Sequence, residues 1–171
     1  YPHHNYIFNL LYFLGNNRDK FGNLNDKKIL SLGPRNIIEL FLIYLSGFKW
    51  KNISGMDIIS SNPKIKVGDF SKTFPFNDNE FDFVICSHSI SKSFNQQMTA
   101  SEIKRILKPG SYLVIADNDT VDPENNEYVC NGFTNQYETI LELYCNSNWK
   151  NLIYQKKNNE NTFESIVKVI K

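Results

Sequence analysis

Cysteine is scarce in this chain: Cys86, Cys130 and Cys145, an odd number with no CxxC pair. That excludes a disulfide framework and a paired-cysteine zinc site, and it predicts a reducing, cytoplasmic setting without a metal. An excess of one charge is also missing. Nineteen Lys and Arg face 18 Asp and Glu, for a net charge of +1. Proteins that grip nucleic acid or an anionic membrane usually carry a basic excess, so neither partner is expected. No apolar run approaches the ~20 residues that span a bilayer. The stretch Ile7 to Leu14 contains Asn9 and lacks the basic flank and cleavage site of a signal peptide. Alanine occurs only twice and arginine three times, against 23 Asn, 18 Ile and 16 Lys. In so biased a composition, runs of Asn or Lys carry little functional weight. Residue 1 is Tyr, so the sequence reads as a trimmed or partial product.

What remains is a globular composition. The chain has 171 residues, 41% of them hydrophobic and 14% aromatic. One domain of this size buries about two-thirds of the surface its unfolded chain exposes. Ile7, Leu10, Leu11 and Leu14 fall on one helical face, and residues 1–26 read as a helix and lead-in. From Lys27 strands and helices alternate. KKILSLG (27–33) is a buried strand, and RNIIELFLIYLS (35–46) is a helix that is apolar nearly all round, with Pro34 in its first turn. Strands follow over 52–58, 64–69 and 81–86, then a helix over 96–107 that Lys108-Pro109-Gly110 stops. A fifth strand covers 112–116, a polar loop 117–131, and a helix contains Tyr137, Ile140, Leu141 and Tyr144. Strands over 149–155 and 163–170 flank KKNNENT, a turn too short for a crossover helix, so this last pair is antiparallel. No repeat or linker divides the chain. The expected architecture is a single three-layer α/β domain, Rossmann-like, with a core over 27–171.

Two blocks carry a family resemblance. VGDFSKTFPFNDNEFDFVICSHSI (67–90) and EIKRILKPGSYLVIA (102–116) are similar, in residue types, spacing and order, to class I S-adenosylmethionine-dependent methyltransferases. The resemblance extends over about 27–171. It implies a seven-stranded sheet in the order 3-2-1-4-5-7-6 with only the last strand antiparallel. It also implies S-adenosylmethionine as cofactor and direct methyl transfer as the reaction. In an open parallel sheet ligands sit beyond the carboxyl ends of the strands, and Gly33, Asp57, Asp69 and Ser87 lie at such ends. By the resemblance Asp57 accepts the ribose hydroxyls, Asp69 accepts the adenine amino group, and Phe70 packs on the adenine face. The bland readings are a solvated strand-end acid, a turn Asp and a core Phe.

The first loop departs from the family pattern. The family has an acid two residues before its first glycine, then GxGxG; here Ser31 stands for the acid, Gly33 is kept, and Arg35 and Ile37 replace later glycines. Glycine at such places allows positive φ and a close approach of backbone to ligand. Arg35 has three readings: a large side chain that fills the ligand's approach, an ion pair with the cofactor's carboxylate beside a helix N-terminus, or an i,i+4 surface pair with Glu39.

Methyl transfer from a sulfonium requires alignment and exclusion of water, plus a base when the acceptor carries a proton. His88, just past the fourth strand, is the candidate base; otherwise it is a polar loop residue. SHSI is unlike the (D/N)PP(Y/F/W) motif of amino-methylating DNA enzymes, and no Pro-Cys pair serves cytosine methylation. A small-molecule acceptor is therefore expected. The loop acids Asp117, Asp119, Asp122 and Glu124 are expected to be solvated. The altered first loop also admits another function: a methyltransferase-like domain that has lost its cofactor and serves as a partner or scaffold.

Overall fold

A computed structural model describes residues 4–118, 142–144, 152–158 and 162–169. Its sheet has seven strands: β1 (Ile29–Leu32), β2 (Ile53–Asp57), β3 (Ile65–Val67), β4 (Phe81–Ser87), β5 (Leu107–Asn118), β6 (Leu152–Asn158) and β7 (Thr162–Lys168). The order is β3-β2-β1-β4-β5-β7-β6. β7 is antiparallel to both of its neighbours, and all other pairs are parallel. Among the described residues it is accompanied by the helices α1 (His4–Asn16), α2 (Arg18–Phe21), α3 (Ile37–Leu45) and α4 (Gln96–Ile106). Residues 142–144 are helical, and the rest of the helix expected around Tyr137 to Tyr144 lies outside the described residues.

Both faces of the sheet are covered, which explains why β1 is buried at every position. One face packs Leu30, Leu32, Met56, Val84 and Cys86 against Ile103 and Ile106 of α4 and Tyr144. The other packs Ile29, Ile53, Phe83 and Ile85 against Leu10 and Leu14 of α1 and Leu40 and Ile43 of α3. The four apolar residues that define one face of α1 are all buried. α1 also reaches the last strand, where the Asn9 amide donates to the buried Glu164 carboxylate at 3.1 Å.

The strand β5 is much longer than expected. Lys108-Pro109-Gly110 lies inside it rather than ending the helix before it, and α4 runs directly into the strand. The pairing with β4 jumps from Phe81–Leu107 to Phe83–Tyr112, a bulge that absorbs the extra residues, with Gly110 at φ +73°. Besides the β4–β5 pairing, two side chains of α4 join the two motif blocks. Arg105 on α4 donates to the carbonyls of Phe74 (3.1 Å) and Phe76 (2.9 Å) and pairs with Glu102 at 2.7 Å. Glu102 in turn accepts the Phe74 N–H at 2.7 Å. The FPF segment is thereby held on the core under β3 and β4.

α3 is apolar on two sides. Leu40 and Ile43 face the sheet, while Ile38, Phe41, Tyr44 and Leu45 are exposed. No helix of the described residues is long and apolar enough to cross a membrane.

Candidate active site at the carboxyl ends of the strands

The register places Leu32 beside Met56 on one side and Cys86 on the other. The next residues along β1, β2 and β4 are Gly33, Asp57 and Ser87, so the three sit side by side at one rim of the sheet. Gly33 continues the pairing by donating its N–H to the Met56 carbonyl at 2.8 Å. Its φ is +75°. A Cβ there would stand 2.5 Å from Ser89 Cβ and 3.5 Å from Cζ of Phe70. Ser89 was not singled out by sequence reasoning. It is buried and donates its hydroxyl to the Leu32 carbonyl at 2.6 Å, fastening the β4 loop to β1.

The altered loop keeps a glycine-like backbone in spite of its sequence. Arg35 has φ +51°, its side chain is exposed, and its N–H donates to Asp57 Oδ2 at 3.0 Å. The helix begins later than expected. Asn36 is the N-cap, its side chain accepting the Ile38 N–H at 2.9 Å, and Pro34 and Arg35 precede α3. Left-handed backbone costs a non-glycine residue about 1–2 kcal/mol. Arg35→Gly should therefore stabilise the protein by about 0.5–1 kcal/mol after the greater entropy of glycine in the unfolded chain is subtracted. Urea unfolding measures it, and a loss of stability would contradict this backbone assignment.

Glu39 is not a surface partner of Arg35. Arg35 lies outside the helix, so the i,i+4 spacing does not bring the two together. Glu39 turns inward and accepts a hydrogen bond from the Ser31 hydroxyl. The residue as a whole is half-buried, but its carboxyl is removed from water. Burial, with a smaller contribution from the Asp57 charge, pushes its pKa up to about 7, although the Ser31 hydrogen bond pulls the other way. Sequence reasoning missed this residue. The available signal was that Glu39 is the one charged residue of α3, IIELFLIYL.

Asp57 is half-buried, with Oδ1 accepting the Ile58 N–H at 2.7 Å and Oδ2 that of Arg35. A carboxylate has about four acceptor sites, so two remain available. Asp69 organises its own turn, with Oδ1 accepting the Ser71 N–H at 2.8 Å and Oδ2 lying 3.6 Å from Lys72 Nζ. Phe70 packs partly buried against the core and meets Phe74 edge-on at 6.5 Å. The loops after β3 and β4 are joined by hydroxyls: Ser71 to Ser93 at 3.1 Å, Ser93 to Thr99 at 2.6 Å, and Thr99 to the Phe70 carbonyl at 2.9 Å. Ser87 ends β4 half-buried. His88 follows it at φ +51°, and its N–H donates to the Ala116 carbonyl at 2.7 Å.

Asp117 departs from the expectation of a solvated loop acid. It belongs to β5, beyond Ala116 in the strand, and is 2% exposed. The Asp119, Asp122 and Glu124 positions lie outside the described residues. Cys86 is fully buried in β4, where burial and the charges of Asp117 and Glu39 raise its thiol pKa well above the ordinary value. It is a core residue. Among the described residues no group of His, Cys, Asp or Glu is arranged to hold a metal ion.

This sheet order, with its antiparallel seventh strand, defines a methyltransferase-type α/β domain. A family model described as "Methyltransferase domain" matches residues 52–165, and the chain belongs to that family. No curated protein sequence matches it. Solved structures share the fold. A SAM-dependent methyltransferase from Aquifex aeolicus is 16% identical, with a TM-score of 0.61 over 89% of this chain and 87% of that one. One from Methanosarcina mazei is 18% identical, with a TM-score of 0.60 over 86% and 94%. A structure of the Haloferax volcanii Trm112 methyltransferase activator complexed with a methyltransferase matches at 14% identity, with a TM-score of 0.62 over 94% and 98%.

Proposed function

We propose that the chain is an S-adenosylmethionine-dependent methyltransferase acting on a small-molecule acceptor. The observation that carries this reading is the rim where Gly33, Asp57 and Ser87 meet, with Asp57 holding the loop backbone and keeping two acceptor sites. The residues suit an adenosyl group. Asp57 would receive the ribose hydroxyls, Phe70 offers an aromatic ring beside Gly33, and Asp69 lies one residue earlier at the same rim. The Arg35 guanidinium, next to the N-terminus of α3, suits the carboxylate of the methionine portion. When bound, S-adenosylmethionine supplies a sulfonium methyl that a nucleophile displaces, with a thioether leaving. The chain's own work is to orient donor and acceptor and to keep water out. His88, at the end of β4, is the base that would take a proton from an acceptor hydroxyl or ammonium. A net charge of +1 favours a small acceptor over nucleic acid.

Calorimetry with S-adenosylmethionine and S-adenosylhomocysteine, with NADH as control, tests the reading. Asp57→Ala should weaken S-adenosylhomocysteine binding by about 1.5–3 kcal/mol, the worth of hydrogen bonds to a charged group. His88→Ala should leave that affinity alone, since its role concerns the acceptor. Binding of NADH, or of neither adenosyl ligand, would refute the proposal.

One observation favours a second reading, a partner-binding domain. Ile38, Phe41 and Leu45 of α3 and Phe8 and Tyr12 of α1 are exposed. A neighbouring fold is known in complex with the activator Trm112. Failure to bind any adenosyl ligand, in a chain that remains folded, would favour it.

A further inference from the structure

The rim of the sheet is closed from two directions by carboxyls. Asp57, from β2, takes the Arg35 N–H. Glu39, from the first turn of α3, takes the Ser31 hydroxyl two residues before Gly33. Residues 33–36 span these two anchors, with Gly33 and Arg35 both at positive φ. Such a backbone persists only where its surroundings hold it. Ser31 cannot supply the charge that an acid at its position would carry, and Glu39 brings a carboxyl to the same place from the helix.

We infer that Glu39 is a positioning residue for the methyl donor: through its bond to Ser31 it sets the shape of the 33–36 loop, and it ionises when the donor binds. This deepens the methyltransferase reading and rests on it. The groups around the carboxyl are acidic. Asp57 lies on β2; Cys86 on β4 is within electrostatic range of Glu39 and of Asp117 on β5. α1, which also packs on α3, carries no Asp, Glu, Lys or Arg, its titratable side chains being His4, Tyr6 and Tyr12, and Arg35 is exposed. S-adenosylmethionine carries an ammonium and a sulfonium against one carboxylate. A ligand of net positive charge favours the ionised form of a nearby acid, so binding releases a proton and affinity rises with pH.

Four proteins test this: the parent, Glu39→Gln, Glu39→Ala and the double variant Ser31→Asp with Glu39→Ala. S-adenosylmethionine affinity of the parent should rise about tenfold from pH 6 to pH 8, and the Gln variant should lose that rise. Glu39→Ala should weaken binding about tenfold at pH 8 without lowering the melting temperature, which separates positioning from general stability. The double variant, which returns an acid to the strand, should recover affinity to within about threefold. A pH rise retained in Glu39→Gln, or no rescue by Ser31→Asp, would overturn the inference. Hydrogen exchange of residues 33–36 in the absence of ligand keeps the loop arm separate from the cofactor reading. Glu39→Ala should speed exchange there. If exchange is unchanged the inference fails, whereas a parent that binds no donor yet shows the faster exchange would sink only the donor assignment.

Discussion

Gly33→Ala should destabilise the protein by about 3 kcal/mol, combining the cost of left-handed backbone for a residue with a side chain and that of an overpacked contact. The new methyl would stand 2.5 Å from Ser89 Cβ. Ser89 cannot step aside cheaply, because it is buried and its hydroxyl is committed to the Leu32 carbonyl. Relief would require the β4 loop to lift from β1, breaking the rim at its centre. Chemical denaturation checks the value, with Arg35→Gly moving the midpoint in the opposite direction. A midpoint for Gly33→Ala equal to the parent's would show that the loop does not pass so close to Ser89.

Stability should also fall as the pH rises from 4.5 to about 7. The Glu39 carboxyl is raised from an ordinary 4.5 to about 7 in the folded protein. The folded state thus binds this proton more tightly than the unfolded state. Its contribution is fully present below about pH 4.5, declines between there and pH 7, and is gone above. The size is about 3 kcal/mol, and Glu39→Gln, which resembles the protonated form, should be more stable than the parent at pH 8 by a similar amount. Glu102 acts in the opposite sense. The hydrogen bond from Arg105 chiefly holds its pKa below the ordinary value, so its contribution is present above that value and lost as the pH falls. Thermal melts from about pH 2 to about pH 8 separate the two. The Gln variant should keep the acid limb of the profile and lose the neutral one, and a neutral limb unchanged by the substitution would contradict the buried carboxyl.

Most strands were legible because each announces itself by a short apolar run, and the antiparallel last pair because its turn is too short for a helix; the order of the strands came with the family resemblance. The first five residues of β5, 107–111, were not legible. Lys108-Pro109-Gly110 has the chemistry of a helix stop, and only the pairing with β4 converts it into a bulge. The placement of Gly33, Asp57 and Ser87 at one rim followed from strand ends alone. Glu39 did not follow, because a glutamate four residues after an arginine reads equally well as a surface pair. Its inward turn depends on Asn36 starting the helix two residues later than Pro34 implies. Asp117 escaped for a related reason: the polar segment after it looks like one loop, yet the strand continues through Asn118 and buries the acid.

The position of β7 between β5 and β6 governs when this domain can assemble. Asn9 and Glu164 are bonded across 155 residues of chain. During synthesis, β5 emerges with one edge lacking its neighbour, and α1 has nothing to cover on that side until β7 follows. Contacts so distant in sequence carry a large closure entropy and make folding slow. The nascent domain therefore presents an open strand edge to the cell, the condition in which chains pair with one another or call on chaperones, until the strand that closes it has left the ribosome.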